Sequence, residues 1–244
     1  MIALACFNDT QDWIALAIGN SRLHWARFCG ATLLKRWDTE YLSQPLVTAN
    51  LPVVVASVVP TQSQIWETYP QVKVIELAHI PLKKVYPTMG CDRALALWGA
   101  IQTYGTPILV VDAGTALTFT GANCNSELVG GAILPGLSTQ FHSLATKTAA
   151  LPQVEFPSKL PSRWANYTEA AIASGILYTT LAGIKDYLRS WWDLFPQSSV
   201  IFTGGDSTTI CTYLQELEPK IAKKIIVDPE LVFWGMRSLV VKNN

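Results

Sequence analysis

Short apolar runs that end in glycine turns recur along the chain. After residues 1–12, which are predicted to be a frayed or edge segment, Trp13–Ile18 reads WIALAI. Continuous apolar residues are typical of a strand that is covered on both faces. The turn Gly19–Ser21 follows, and Arg22–Phe28 then alternates polar and apolar residues, as a half-buried strand does. Ala31–Trp37 is predicted to be the third strand of this group.

The same order of elements returns in the second half of the chain. Ile108–Val111 is an apolar, largely β-branched run, Asp112 stands at its end, and a turn through Gly114 leads into the alternating stretch Leu117–Thr120. Leu128–Leu134 is predicted to be the third strand. A unit that recurs once, half a chain away, indicates a duplicated domain rather than a solenoid.

Further strands and helices are predicted after each group. The strands are Pro52–Val59, Val72–Leu77, Ser199–Thr203 and Ile225–Val227, and the helices are Thr61–Tyr69, Asp92–Tyr104, Thr168–Trp192, Thr208–Glu216 and Leu231–Val241. Thr61 is expected to be a hydroxyl N-cap, and a break is expected near Gly183. The breakers in Tyr104–Pro107 predict two α/β domains, 1–105 and 106–244, with the last helix as a candidate to pack back on the first.

The composition is that of a well-buried globular chain without a dominant charge. Of the 244 residues 50% are hydrophobic and 15% are charged, and the formal net charge is zero, so no basic surface argues for nucleic acid. No apolar run approaches the roughly 20 residues of a membrane-spanning helix, and the N-terminus lacks the basic segment of a signal peptide. The 5 cysteines are scattered without a C-x-x-C pair, which predicts neither disulfides nor zinc. These features predict a cytoplasmic protein.

Two glycine turns, one in each half, are candidate phosphate sites. Gly19–Ser21 and Asp112–Thr115 can offer backbone N–H groups without placing bulky side chains in the path of a ligand. The Asp112 carboxylate is also a candidate cation ligand. The alternative is that both are ordinary hairpin turns, in which Gly, Asn and Asp serve only the backbone.

Gly90-Cys91-Asp92-Arg93 precedes a predicted helix. In one interpretation Asp92 is a general base and Arg93 binds an anionic group of the substrate while keeping Asp92 ionised. The alternative is helix capping with a local ion pair. Gly204-Gly205-Asp206 is either a tight strand–helix connection or a point of close approach to an adenosine. His24 is predicted to be structural or exposed, because no metal-ligand set accompanies it.

Taken in order, these motifs resemble the type III pantothenate kinases of bacterial coenzyme A biosynthesis. The matching segments are Ala17–Ser21, Gly90–Arg93, Asp112–Ala116, Gly130–Gly136, Ala149–Pro152, Thr168 with Ala171, Ile172 and Gly175, and Thr203–Asp206. The resemblance implies an α/β fold of two duplicated ribonuclease H-like domains of the actin/sugar-kinase type, with a nucleotide cleft between them. It implies transfer of the ATP γ-phosphoryl group to the 4′-hydroxyl of pantothenate, the first step of coenzyme A biosynthesis.

The resemblance also implies a role for each matching position. Asp92 would be the proton acceptor, and Asp112 would bind a monovalent cation, K+ or NH4+. The pantothenate-binding residues would be Tyr86, Gly90, Cys91, Asp92, Arg93 and Thr168, and those binding ATP with Mg2+ would be Ala17, Ile18, Gly19, Asn20, Ser21, Arg22, Leu23, His24, Thr115, Gly204 and Gly205. A homodimer is implied, with no nucleic-acid or membrane partner.

Ala17 departs from the family's pattern, which has an acid at this place. In the family that carboxylate faces the phosphates and helps to hold magnesium. Three interpretations follow: reduced dependence on magnesium, compensation by another group, or lost catalysis. The alternatives to pantothenate kinase activity are therefore a weakened or inactive homologue that acts as a binding or accessory protein, and another small-molecule kinase of the same superfamily, such as a sugar or acetate kinase.

Overall fold

The computed structural model describes residues 7–45 and 50–241, so half of the predicted edge segment, residues 1–6, lies outside the described residues. The chain divides into two compact units. One comprises Met1–Gly105, Asn123–Leu128 and Glu230–Asn244, and the other comprises Thr106–Ala122 and Val129–Pro229.

The described residues form ten strands and seven α-helices. The strands are β1 (Asp12–Ile18), β2 (Leu23–Cys29), β3 (Thr32–Thr39), β4 (Val53–Ser57), β5 (Val72–Ile75), β6 (Ile108–Ala113), β7 (Ala116–Ala122), β8 (Leu128–Pro135), β9 (Ser199–Thr203) and β10 (Ile225–Val227). The helices are α1 (Pro60–Trp66), α2 (Cys91–Tyr104), α3 (Leu137–Lys147), α4 (Thr168–Leu194), α5 (Ser207–Leu217), α6 (Pro219–Ala222) and α7 (Leu231–Val240).

The two sheets repeat one topology. In the first unit the strand order is β3-β2-β1-β4-β5, and in the second it is β8-β7-β6-β9-β10. The central strand of each sheet, β1 or β6, pairs antiparallel with the next strand in the chain and parallel with a later one, β4 or β9. The predicted α/β fold and its internal duplication are confirmed.

Burial explains why the central strands could be found from sequence. Trp13–Ile18 of β1 is buried throughout, as are Ile108–Val111 of β6. Around the second sheet, α4 contributes eight buried hydrophobic residues to the core of its unit. The predicted strands and helices are confirmed within one to three residues at their ends.

The structure differs from three of these expectations. The helix α4 is continuous, because Gly183 is exposed and costs about 1 kcal/mol in helix propensity, far less than the burial of its neighbours provides. In α1 the N-cap is Val59 rather than Thr61, since Pro60 occupies the first turn, where its fixed φ favours a helix start. The strand β5 ends at Ile75, and a short 3-10 helix, Leu77–His79, follows. The helices α3 and α6 lie where the sequence pattern predicts no helix.

In the first unit α2 and α7 cross with their backbones in contact. A Cβ atom built on Gly99 would lie 2.0 Å from the carbonyl oxygen of Leu231, and one built on Gly235 would lie 2.2 Å from the carbonyl oxygen of Leu95. Only glycine fits at either position without a backbone shift.

As for membranes, none of the helices in the described residues is long and apolar enough to span one.

Candidate active site

The N-terminus of α2 lies at the carboxyl end of the parallel strands of the first unit. Val58, just after β4, donates its N–H to the carbonyl oxygen of Ile18 at the end of β1, at 3.1 Å. A Cβ on Gly90 would lie 3.8 Å from Val58 Cγ1, and the Cys91 thiol is 3.6 Å from the carbonyl oxygen of Ile75 at the end of β5. Ligands of α/β sheets bind at this edge. The motif that follows β1, Gly19–Ser21, and the motif that begins α2, Gly90–Arg93, therefore lie at the same edge of this sheet.

Asp92 is held by the first turn of its own helix. Its Oδ1 accepts the backbone N–H of Arg93 at 2.7 Å, and a Cβ on Gly90 would lie 2.6 Å from that same oxygen. Gly90 thus leaves the space that the carboxylate occupies. Burial raises the pKa of Asp92, and the hydrogen bond and charge of Arg93 lower it by less. The sequence predicts an aspartate kept ionised by Arg93. The direction of that effect is right, but burial outweighs it, which makes Asp92 a stronger proton acceptor once ionised.

Tyr86 and Arg93 are in direct contact. Arg93 is buried, and its Nη1 donates to the Tyr86 hydroxyl at 2.8 Å. Tyr86 is 41% exposed, so the phenol connects a buried guanidinium with the surface. A guanidinium that is fixed in this way has N–H groups in the planar geometry that suits a carboxylate.

Cys91 serves as a neutral side chain at this site. Burial raises the pKa of its thiol to about 12, with smaller contributions from the charges of Asp92 and Glu76. The thiol therefore stays protonated near neutral pH, and an uncharged thiol is a poor nucleophile.

The Gly19–Ser21 turn connects β1 and β2. The N–H of Gly19 donates to the carbonyl oxygen of Arg22 at 3.1 Å, which closes the turn, and the Tyr41 hydroxyl donates to the Gly19 carbonyl oxygen at 2.7 Å. Nδ1 of His24 lies 2.9 Å from Oδ1 of Asp38. The prediction that His24 is structural or exposed holds in part, since it is partly exposed and bonded to a carboxylate.

In the second unit, Asp112 lies against the glycine segment that follows β9. Asp112 is paired with Thr203 in the register of β6 and β9. Gly204 has a φ of +86°, and a Cβ there would lie 2.4 Å from Asp112 Oδ1. The N–H of Asp206 donates to the Ala113 carbonyl oxygen at 2.9 Å. The structure therefore brings together two predicted nucleotide motifs, and the positive φ at Gly204 is a conformation that other residues rarely adopt.

The start of α3 holds the turn that follows Asp112. The N–H of Gly136 donates to the Thr115 carbonyl oxygen at 2.9 Å, and Thr139 Oγ1 donates to the same oxygen at 2.6 Å. A Cβ on Gly136 would lie 2.0 Å from the Gly114 carbonyl oxygen. Ser138 Oγ lies 3.3 Å from Asp206 Oδ2. Ser138 and Thr139 are not among the predicted site residues, because the sequence pattern predicts no helix at α3.

Asp112 has the chemistry of a cation ligand. Among the residues that the structure describes, no group of three or more His, Cys, Asp or Glu side chains could hold a metal by itself. Hard cations bind oxygen atoms, and Mg2+ is commonly held by one or two carboxylates together with substrate phosphates and water. Asp112 offers one carboxylate beside glycine turns, which gives a hard cation an oxygen ligand and leaves its other positions to phosphate and water. Thr168, the remaining predicted site residue, is exposed at the first position of α4.

The two sheets of repeated topology give the chain an α/β fold of the duplicated actin/sugar-kinase type. Solved structures with this fold include a conserved putative Baf family transcriptional activator from Campylobacter jejuni, with a TM-score of 0.65, 21% identity and coverage of 93% of this chain and 96% of that one. A putative N-acetylmannosamine kinase from Listeria monocytogenes has a TM-score of 0.53, 15% identity and coverage of 94% and 98%. At these identities the likeness shows the fold alone.

Sequence comparison gives the family. The pattern of the type III pantothenate kinase family matches residues 13–190. A type III pantothenate kinase of Nostoc sp. is 48% identical over 261 residues, covering 94% of this chain and 95% of that protein, and one of Synechocystis sp. is 44% identical over 243 residues, covering 97% and 93%. The chain belongs to the type III pantothenate kinase family.

Proposed function

We propose that this chain transfers the γ-phosphoryl group of ATP to the 4′-hydroxyl of pantothenate, the first step of coenzyme A biosynthesis. Membership of the family supports this activity. The observation that carries it is the arrangement at α2, where Asp92, with its raised pKa, stands beside a buried Arg93 that is bonded to Tyr86. A hydroxyl acceptor needs a proton acceptor, and a carboxylate substrate needs a fixed cation.

The residues of α2 are proposed to bind pantothenate. Asp92 accepts the proton of the 4′-hydroxyl as the phosphoryl group arrives. Arg93 and Tyr86 bind the carboxylate, which the N-terminus of a 14-residue helix also favours. Gly90 and Cys91 line the site without charge. We also propose, from the resemblance alone, that Thr168 binds pantothenate. On the same ground we propose that the protein is a homodimer and acts in the cytoplasm.

The glycine turns are proposed to bind ATP. In the first unit these residues are Ala17–His24, and in the second they are Thr115, Gly204 and Gly205. Phosphoryl transfer asks the protein mainly for positioning and for stabilisation of charge on the transferred group. When bound, Mg2+ would supply part of that charge stabilisation, and Asp112 is proposed to hold a monovalent cation.

The activity is tested with the purified chain, ATP, Mg2+, K+ and pantothenate, and the product is identified by mass spectrometry. We expect phosphopantothenate in an amount that depends on both substrates. Glucose and acetate serve as alternative acceptors in matched reactions. Pantothenate that binds without being phosphorylated would identify a binding-only homologue, and phosphorylation of glucose or acetate instead would identify another kinase of the superfamily.

Replacing K+ with Na+ is expected to lower kcat, because the two ions differ in size and in the distances at which oxygen ligands hold them. Asp112→Asn is expected to weaken this preference, since a neutral amide binds a cation less strongly than a carboxylate does. The measurement is the initial rate at matched ionic strength for both proteins. Equal rates in K+ and Na+ would remove the cation role from Asp112.

A further inference from the structure

Three residues lie side by side across the first three strands. In the register of β1 and β2, Ala17 is directly opposite His24, and in the register of β2 and β3, His24 is directly opposite Asp38. Side chains that are directly opposite in an antiparallel pair lie on one face, with Cβ atoms about 4.5–5.5 Å apart. The imidazole therefore has a methyl group on one side, where the family resemblance predicts an acid, and a carboxylate on the other.

The carboxylate determines how the imidazole ring is oriented. Asp38 Oδ1 lies 2.9 Å from His24 Nδ1. An ionised carboxylate only accepts hydrogen bonds, so Nδ1 carries the proton of this bond. Nε2 is then the ring atom that remains available for a ligand. Arg22 also faces Asp38, with Nη1 3.7 Å from Oδ2, and adds a positive group on this side of the turn.

Nε2 is directed at the candidate phosphate turn. A Cβ built on Gly19 would lie 3.5 Å from His24 Nε2, so the ring nitrogen lies close to the first residue of the turn. The side chain of His24 is 43% exposed, which leaves it accessible to a bound molecule. The Tyr41 hydroxyl donates a hydrogen bond to the carbonyl oxygen of the same glycine.

We propose that His24, oriented by Asp38, donates a hydrogen bond from Nε2–H to a phosphate oxygen of ATP. Because the Asp38 carboxylate and the phosphate are both anionic acceptors, the bond at Nδ1 and the bond at Nε2 are each charge-assisted. A carboxylate at position 17 would bind a cation and reach the phosphates through it, whereas His24 reaches them directly. This proposal adds a named contact to the ATP site, and it rests on the proposed function. In this way His24 would compensate for the acid that is absent at Ala17.

The test measures nucleotide binding by the full chain without turnover. The probes are an ATP analogue with an NH group at the β–γ bridge and, as a ligand without phosphates, adenosine, both measured by calorimetry or competition. His24→Gln is expected to weaken analogue binding about tenfold or more, as for loss of a charge-assisted hydrogen bond, and to leave adenosine binding within twofold. Asp38→Asn is expected to give a smaller loss, because the ring stays but its orienting charge is removed.

Arg27→Gln is the matched control. Arg27 is on the same strand β2 and also pairs with an aspartate, Asp12, but it lies near the other end of that strand. This variant is expected to bind the analogue as the original protein does. Thermal unfolding of each variant checks that the sheet is intact. In steady-state kinetics, His24→Gln is expected to raise KM for ATP with kcat for pantothenate little changed, whereas Arg27→Gln should change neither.

The outcomes separate this proposal from the proposed function. Phosphorylation of pantothenate by both the original protein and His24→Gln, with equal affinity for the analogue, would overturn the role of His24 and leave the kinase activity standing. An equal loss of adenosine and analogue binding would show that His24 only supports the fold of the turn, which also overturns the proposal. Failure of the original protein to bind the analogue would remove both.

Discussion

Replacing Asp92 with asparagine is expected to lower kcat for pantothenate phosphorylation by on the order of 10²-fold or more, the usual effect of losing a general base. Asparagine has nearly the same shape as aspartate, and its side-chain oxygen can still accept the N–H of Arg93, which Asp92 Oδ1 accepts at 2.7 Å. The affinity for pantothenate should therefore change little. The measurement is steady-state kinetics together with a binding titration.

The pH dependence gives an independent check on the same residue. Burial raises the pKa of Asp92, and a protonated carboxyl cannot accept the hydroxyl proton. The value of kcat/KM is therefore expected to fall as the pH drops through this raised pKa, and the Asp92→Asn variant should lack that acidic limb. An asparagine variant with unchanged kcat would exclude Asp92 as the base.

Two companion variants separate chemistry from position. Gly90→Ala places a Cβ 2.6 Å from Asp92 Oδ1, so it should displace the carboxylate and lower kcat while the acid itself remains. Asp193→Asn removes an exposed acid in the last turn of α4 and is expected to be silent. Equal losses in all three proteins would point to a defect in folding rather than in catalysis.

Gly99→Ala is expected to lower the free energy of unfolding by about 3 kcal/mol, at the upper end of the usual cost of overpacking. The added methyl group would lie 2.0 Å from the Leu231 carbonyl oxygen and 2.7 Å from the Gly235 nitrogen. Both atoms belong to backbone, so neither can move aside without shifting α7. Urea unfolding of the full chain, followed by fluorescence and circular dichroism, measures the change.

Gly183→Ala is the matched control for this substitution. It also lies inside a helix, but a Cβ at Gly183 would meet nothing within 4 Å. Because alanine favours helices over glycine, this variant should be about 0.5–1 kcal/mol more stable than the original chain. If Gly99→Ala also raised the stability, the close crossing of α2 and α7 would be wrong.

Strands with continuous apolar runs were predictable because their burial leaves a local signal. The run Ile108–Val111 is apolar throughout and buried throughout. For α3 the signal was present but weaker: Leu137, Phe141 and Leu144 have helical spacing, yet polar residues dominate between them. Local propensity predicts a break at Gly183, but packing along the rest of α4 outweighs the cost of one exposed glycine.

The chemistry of the site could be predicted only as far as it depends on neighbours in sequence. The proximity of Arg93 to Asp92 is local, whereas the burial that dominates the pKa of Asp92 comes from the folded unit. Likewise, the alternation of Arg22–Phe28 predicts a strand, but it does not give the register. The alignment of Ala17, His24 and Asp38 appears only when the three strands are paired.

The crossing of α2 and α7 also bears on the order in which the chain can fold during synthesis. The first unit is completed by the end of the chain, since α7 packs on α2 and the N–H of Phe7 donates to the Val240 carbonyl oxygen at 2.7 Å. The residues of the second unit end at Pro229, so all of them leave the ribosome before α7 does. The second unit can thus finish folding before the contact between α2 and α7 forms, because that contact needs the last helix. A nascent chain that stops before Leu231 would keep the apolar face of α2 uncovered.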